Sequence, residues 1–297
     1  MTDDPRLTPF DGTVAHAGLQ GRVAAARFTE GTWAEVTARV LPVFRAPGGA
    51  LDREALLGEP FCVISETDAG DGMAYGFLGR DGYCGYVARA ALGVPRRATH
   101  RVVVRETFCR RAPELKPFEL TPALFFGSRL VVTGQVGDWA EIERMEASGQ
   151  RETWYVPACH LAPVSEMAES PVAVARLYLG TPYRWGGNSG RGIDCSGLVQ
   201  AAMHACSWAC PGDSDLQEKM PGTRLAAESP LQAGDLIFWK SHVAMATGPE
   251  TMIHSNAYHM RVVEEPIGPA IARIAAGETG PVTSRLRPER RPLPSSF

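Results

Sequence analysis

"TPYRWGGNSGRGIDCSGLVQ", residues 181–200, decides how the last third of this chain is read. Leu198, Val199, Ala201, Ala202, Met203 and Ala205 recur at helical spacing, so a buried helix is expected from about Ser196 onward. Cys195 then stands at or beside the helix N-terminus, where unpaired backbone N–H groups and the macrodipole favour thiolate over thiol. Trp185, Gly186 and Gly187 are expected to shape the loop beneath it, glycine supplying turns that need positive φ. A cysteine in such a place is either a small core residue or a nucleophile, and the rest of the chain has to decide.

Downstream, "AGDLIFWK", "HVAMATG", "ETMIHSN" and "HMRVVEEP" read as consecutive strands. A turn centred on Pro249 places His242 opposite Asn256 and His254 opposite Ala244. The two imidazoles become same-face diagonal neighbours, roughly 7–8 Å apart at the backbone. A nucleophilic cysteine needs a base, and the base needs an orienting partner that fixes its tautomer. Cys195, His242 and His254 supply nucleophile, base and orienter. The same three side chains could ligate zinc at an open site. No Cys-x-x-Cys or His-x-x-x-His pair supports that reading, so neither a metal nor a cofactor is expected.

Bulk properties narrow the field. At 297 residues, with 44% hydrophobic and 21% charged residues, the chain has the composition of a globular protein of two or three domains. A net charge of −3 gives no footprint for nucleic acid and no general pull toward anionic membrane. No stretch approaches the ~18 apolar residues of a membrane-spanning helix. The start, "MTDDPRLTPFDG", lacks the apolar core of a secretory signal, and the odd count of seven cysteines shows no pairing pattern. Both point to a reducing, cytoplasmic setting.

Ahead of residue 164 the texture is different. After a lead-in over residues 1–30, with one short helical patch in "GRVAAARF", two similar cycles of short strands follow. The first contains "WAEVTARVLPVF", "PFCVI", "MAYGFLG" after a Gly/Asp turn, and "RDGYCGYVARAAL"; the second contains "THRVVVRETFCR", "SRLVVTGQVGDWAEIE" and "ETWYVPACHLAP". Each opens on a strand and a long irregular loop, and each closes on an aromatic-Val segment, "YCGYVARAAL" matching "TWYVPACHL". That order suggests two small barrels in tandem, residues 31–95 and 96–163, before an α+β domain over residues 164–297.

The motifs Tyr-x-Trp-Gly-Gly, Asp-Cys-Ser-Gly and Gly-Asp-Leu, followed by the two histidines, resemble the NlpC family of papain-like cysteine peptidases that cut bacterial cell-wall peptides. The resemblance covers about residues 170–265. With two bacterial SH3-like barrels in front, the chain resembles the γ-D-glutamyl-L-diamino acid endopeptidases. These cut murein tri- or tetrapeptides that carry a free N-terminal L-Ala, in wall-peptide recycling. The resemblance implies that Cys195, His242 and His254 catalyse, and that Tyr183, Asp194, Ser196 and Ser214 line the substrate pocket. In the first barrel it implies that Asp52 and Tyr83 meet the substrate amine beside Asp194, with Glu54 and Glu59 as other candidate acids. Two alternatives remain open: a secreted endopeptidase acting on intact wall, and a non-catalytic wall- or peptide-binding protein. Residues 266–297 either wrap the last domain or hang free.

Overall fold

The alternation in "WAEVTARVLPVF" becomes two strands, Thr32–Val36 and Val40–Phe44, with Ala34, Val36, Leu41 and Val43 turned into one core. The computed structural model describes residues 4–67, 72–116, 121–145 and 151–293. Contacts divide the chain into two compact units, one running to Glu166 and the other starting at Met167.

In the first unit, a curled antiparallel sheet orders Leu51–Leu56, Val40–Phe44, Cys84–Ala88, Met73–Leu78, Pro60–Glu66, Thr32–Val36 and Leu92–Gly93. Phe61, Leu78, Tyr83 and Val87 fill its centre. The expected turn before Met73 falls on residues 68–71, outside the described residues. The second cycle builds its own core from Val102, Leu124, Leu130, Ile142, Trp154 and Val156. The closing segments of the two cycles correspond. Each runs strand, single 3-10 turn, strand, with the turns at Arg89–Ala91 and Ala158–His160. The Arg129 amide donates to the Leu57 carbonyl at 2.8 Å, and Gly58 adopts φ +78° where a Cβ would run into the Arg129 carbonyl. Only glycine lets the two barrels approach there.

Two sequence expectations need correction. "GRVAAARF" is not helical: it turns at Gly21 and ends in the strand Arg27–Thr29, which pairs in parallel with Val14–His16. Eight residues cannot repay helix nucleation when a neighbouring backbone offers a ladder. The irregular loop of the first cycle contains a strand, Leu51–Leu56, paired with Val40–Phe44. Its sequence, LDREAL, hides the alternation because Arg53 and Glu54 are themselves buried, each at 1% exposure.

The second unit is α+β, and its elements are numbered here within it. Helices α1 (Pro171–Leu177), α2 (Cys195–Ala205) and α3 (Ser214–Gln217) come first. Strands β1 (Gly222–Arg224), β2 (Leu236–Trp239), β3 (His242–Ala246), β4 (Thr251–Asn256) and β5 (Arg261–Pro266) follow, then α4 (Ile267–Ala275) and β6 (Ser284–Pro288). The sheet order is β1-β6-β2-β3-β4-β5. Helix α2 packs against β3 and β4. Helix α4 lays Ile267 and Ala270 on Ile237, Trp239, Ala244 and Met252. Covering helices explain why β2 reads as an unbroken apolar run.

The tail does not hang free as far as residue 293, and residues 294–297 lie outside the described residues. β6 inserts between β1 and β2, burying Leu286 completely, and Arg287 forks onto the buried Asp235 carboxylate at 2.8 and 2.7 Å. Truncating Leu286 to alanine is expected to destabilise the second unit by ~2–5 kcal/mol in urea unfolding. A loss below about 0.5 kcal/mol, the size of a surface change, would remove β6 from the core.

Candidate active site

Asp194 sets the geometry around the cysteine. It is the N-cap of α2, extended at φ −90° and ψ −179°, and its Oδ1 accepts from the Gly197 amide at 2.6 Å and from the Ser196 hydroxyl at 3.0 Å. Its Oδ2 accepts from the Gly186 amide at 3.0 Å, which ties the Gly-rich loop to the helix start. Gly187 has no room for a side chain, since a Cβ would lie 2.5 Å from the Gly192 carbonyl oxygen. Cys195 is therefore the first helical residue, 8% exposed, on a helix whose first turn is capped by a carboxylate. Tyr183 lies within electrostatic reach: burial first, then the charges of Cys195 and Asp194, push the Tyr183 hydroxyl well above its ordinary pKa. Gln217 of α3 donates to the Ser196 carbonyl and to the Pro211 carbonyl, both at 2.9 Å, which brings the segment bearing half-buried Ser214 to the first turn of α2.

The histidines come from the hairpin. Met245 pairs with Ile253 and Ala246 with Met252, the register that a turn centred on Pro249 requires. The ladder stops there, and toward the open end His242 Nε2 and His254 Nδ1 stand 2.8 Å apart. On the far side of the ring, His254 Nε2 faces Glu265 Oε1 at 2.7 Å. Arg273 of α4 holds both oxygens of that carboxylate, Nη1 to Oε2 at 2.8 Å and Nη2 to Oε1 at 2.6 Å. The Ser255 hydroxyl, next along from His254, donates to the Ile193 carbonyl at 2.6 Å, fastening β4 to the residues just ahead of Cys195.

These partners assign the tautomers. A carboxylate can only accept, so His254 carries its proton on Nε2 and offers a bare Nδ1. His242 must then donate from Nε2, which leaves its own Nδ1 as a base. The Asn256 amide also approaches His254 Nε2, at 2.9 Å, but its Oδ1 is turned to accept from the His259 amide at 2.8 Å. An amide nitrogen does not accept, so the Glu265 carboxylate is the acceptor of the His254 proton.

Electrostatics agree with neutral imidazoles. Burial, then His254 and Arg273, bring the His242 pKa down to about 3. Burial also lowers His254, against the opposing pull of Glu265. Burial alone would raise the Glu265 carboxyl, but hydrogen bonds from His254 and Arg273 reverse that and hold it at about 2. His254, His259 and Glu265 offer three ligand atoms within 4.8 Å of one another. Arg273 already occupies that carboxylate, so the cluster is a hydrogen-bond network with a resident cation, ill suited to a metal.

Sequence reading reached Cys195, Asp194, Ser196, Tyr183, His242 and His254, which the structure gathers in this unit, with Ser214 tethered through Gln217. It missed Gln217, Glu265 and Arg273. Glu265 was legible in principle, because in "RVVEEP" it falls on the strand beside His254. Asp52 and Tyr83 belong to the other unit. There, Arg45 forks onto Asp52 at 2.8 and 3.1 Å, and Tyr83 is 1% exposed within the barrel core. Arg80 takes both oxygens of Glu59, at 2.7 and 2.9 Å, and donates to the Glu54 carbonyl at 2.8 Å.

Residues 180–274 match the NlpC/P60 family and residues 43–92 match the bacterial dipeptidyl-peptidase Sh3 domain. The chain thus carries an NlpC/P60 domain preceded by a bacterial Sh3 domain. Among its relatives, dipeptidyl-peptidase 6 of Lysinibacillus sphaericus is 35% identical over 108 residues, 36% of this chain and 40% of that protein. Gamma-D-glutamyl-L-lysine dipeptidyl-peptidase of Bacillus subtilis is 33% identical over 112 residues, 34% of this chain and 37% of that protein. The matched segment spans less than half the length of either relative. In fold, the chain is similar to the crystal structure of an NlpC/P60 family protein from Bacillus cereus, with a TM-score of 0.69 at 20% identity, over 89% of this chain and 100% of that one.

Acid should unfold this site in a defined window. Unfolded His242 takes up a proton near 6.5, whereas folded His242 does so only near 3, so between those values the unfolded state binds more protons and stability is lost as pH is lowered. The urea midpoint is expected to drop from pH 7 to about 5, less steeply in His242→Gln. Parallel slopes in the two proteins would mean that His242 is not held neutral by burial.

Proposed function

We propose that the protein is a cysteine peptidase that hydrolyses the γ-D-glutamyl-L-diamino acid bond of murein tri- or tetrapeptides bearing a free N-terminal L-Ala. The observation that carries this reading is the proton-ordered imidazole pair, His242 Nε2 to His254 Nδ1 at 2.8 Å, on a hairpin packed against the helix that opens with Cys195. Relatives named dipeptidyl-peptidases support the choice of bond.

In this mechanism, the Cys195 thiol gives its proton to His242 Nδ1 and the thiolate attacks the γ-carbonyl carbon of D-Glu. Backbone N–H groups at the start of α2 stabilise the oxyanion. Collapse of the tetrahedral species breaks the C–N bond, and His242 returns the proton to the departing amine of the diamino acid. Water then cleaves the thioester and releases L-Ala-D-Glu.

Tyr183, Asp194, Ser196 and Ser214 line the pocket in this proposal. An ammonium group is costly to bury without acceptors, and the first barrel supplies Asp52 as its receiver. Arg45, which pairs with Asp52, is itself 73% exposed. The seven unpaired cysteines support a reducing compartment, and the same proposal places the enzyme in wall-peptide recycling there.

Mass spectrometry of digests of L-Ala-γ-D-Glu-meso-diaminopimelate and its N-acetylated form tests the reading. Release of L-Ala-D-Glu from the free peptide alone, abolished in Cys195→Ala, is the expected result. Equal cleavage of both peptides would remove the amino-end lock at Asp52 and Tyr83. Cleavage of neither would overturn the peptidase.

A further inference from the structure

The hydrogen-bonded chain runs past His254 to a half-buried ion pair, Glu265 with Arg273. By strand alternation, His242 on β3, His254 on β4 and Glu265 on β5 share the sheet face that α4 covers, since Glu265 pairs with Met252 two residues before His254. Helix α4 contributes Arg273 to that face, and the Tyr258 ring lies over its guanidinium at 4.5 Å. His254 has no exposed side-chain surface and Glu265 only 14%.

We propose that Glu265 and Arg273 form the positioning device of the Cys195–His242 reaction. Glu265 dictates which nitrogen of each imidazole carries the proton, and Arg273 cancels its charge so that His242 receives a proton from Cys195 only. This rests on the peptidase reading of Cys195.

An imidazole pair between a thiol and water has two proton orders, and only one leaves His242 Nδ1 bare. A carboxylate on His254 Nε2 selects that order. An uncompensated buried carboxylate would also stabilise imidazolium, trapping the proton that the leaving amine needs. The fork from Arg273 removes this bias while keeping the hydrogen bond. During attack one proton moves from Cys195 Sγ to His242 Nδ1. His254 stays neutral and Glu265 stays charged.

Few other titratable groups face the network. His259, in the turn after β4, has Nδ1 4.0 Å from Glu265 Oε1. The Tyr258 phenol caps Arg273, and Tyr183 sits beside Cys195. Removing the charge of Glu265 leaves Arg273 to oppose imidazolium, whereas removing Arg273 leaves Glu265 to favour it. The two variants therefore push Cys195 in opposite directions, which a packing role cannot do.

The test is the rate of Cys195 alkylation by iodoacetamide from about pH 5 to about 10 in the full chain, read on its tryptic peptide by mass spectrometry. The exposed Cys159 serves as reference thiol. Glu265→Gln is expected to raise the Cys195 midpoint by roughly one pH unit and Arg273→Met to lower it by a similar amount. Arg273→Lys keeps the charge and should stay near the unmodified profile, and the double variant Glu265→Gln/Arg273→Met should return toward it. On the tripeptide, Glu265→Gln should lower kcat while leaving KM unchanged. Overlaid profiles in both single variants, with near-UV circular dichroism intact, would overturn the proposal and leave the peptidase standing. A variant that loses its near-UV signal is replaced in the comparison by Arg273→Lys, whose profile must then coincide with the unmodified protein. Cys195 alkylating like Cys159 in the unmodified protein would overturn the peptidase reading, and the positioning device with it.

Discussion

The Asp194 carboxylate fixes the rest of the site. One oxygen closes the first turn of α2 through the Gly197 amide, and the other grips the Gly186 amide in the loop before it. A helix start leaves amide protons unmatched, and an N-cap carboxylate meets that need while favouring the N-terminal end of the macrodipole. The same negative charge stands beside the cysteine and discourages a second one there. Forming the thiolate therefore depends on a proton acceptor of the right order, which the hairpin supplies from a different part of the sequence.

That division of labour explains the architecture of the unit. A helix delivers the nucleophile in a fixed direction, and a sheet delivers two side chains twelve positions apart at hydrogen-bond distance. Neither element could do both. The sheet also brings a third strand and a covering helix to the back of the hairpin, so the ion pair is half-buried and partly shielded from the solvent that would screen it. Burial of a compensated pair is far less costly than burial of one charge, and so Glu265 can stay ionised with 14% of its side chain exposed.

Much of this was legible in the chain. Helix α2, four consecutive strands and the hairpin register followed from period and turn chemistry, because the apolar pattern and the Thr-Gly-Pro-Glu turn agree with the final packing. The matching strand–3-10–strand endings of the two barrels were visible as "YCGYVARAAL" and "TWYVPACHL". What stayed hidden had physical causes. LDREAL is a strand whose inner positions are charged, so alternation gave no signal. "GRVAAARF" has helix-forming residues, yet it is too short to nucleate against a competing ladder. Arg273 and Gln217 act through tertiary contacts, and a glutamine on a one-turn helix or an arginine on an amphipathic one looks like any solvated residue.

Strand β6 lies inside the sheet, between β1 and β2, yet it is the last strand to be made. As the chain leaves the ribosome, helix α2, the hairpin and the imidazole pair all emerge while one side of β2 still lacks its neighbour. An apolar strand with an open edge invites pairing with other chains. Asp235 meanwhile waits, buried side first, for the guanidinium of Arg287. The order of synthesis thus runs against the order of the sheet, and the unit gains its finished interior only when residues 284–288 slide into the gap. The finished sheet of this unit therefore depends on a strand that follows every catalytic candidate in the chain.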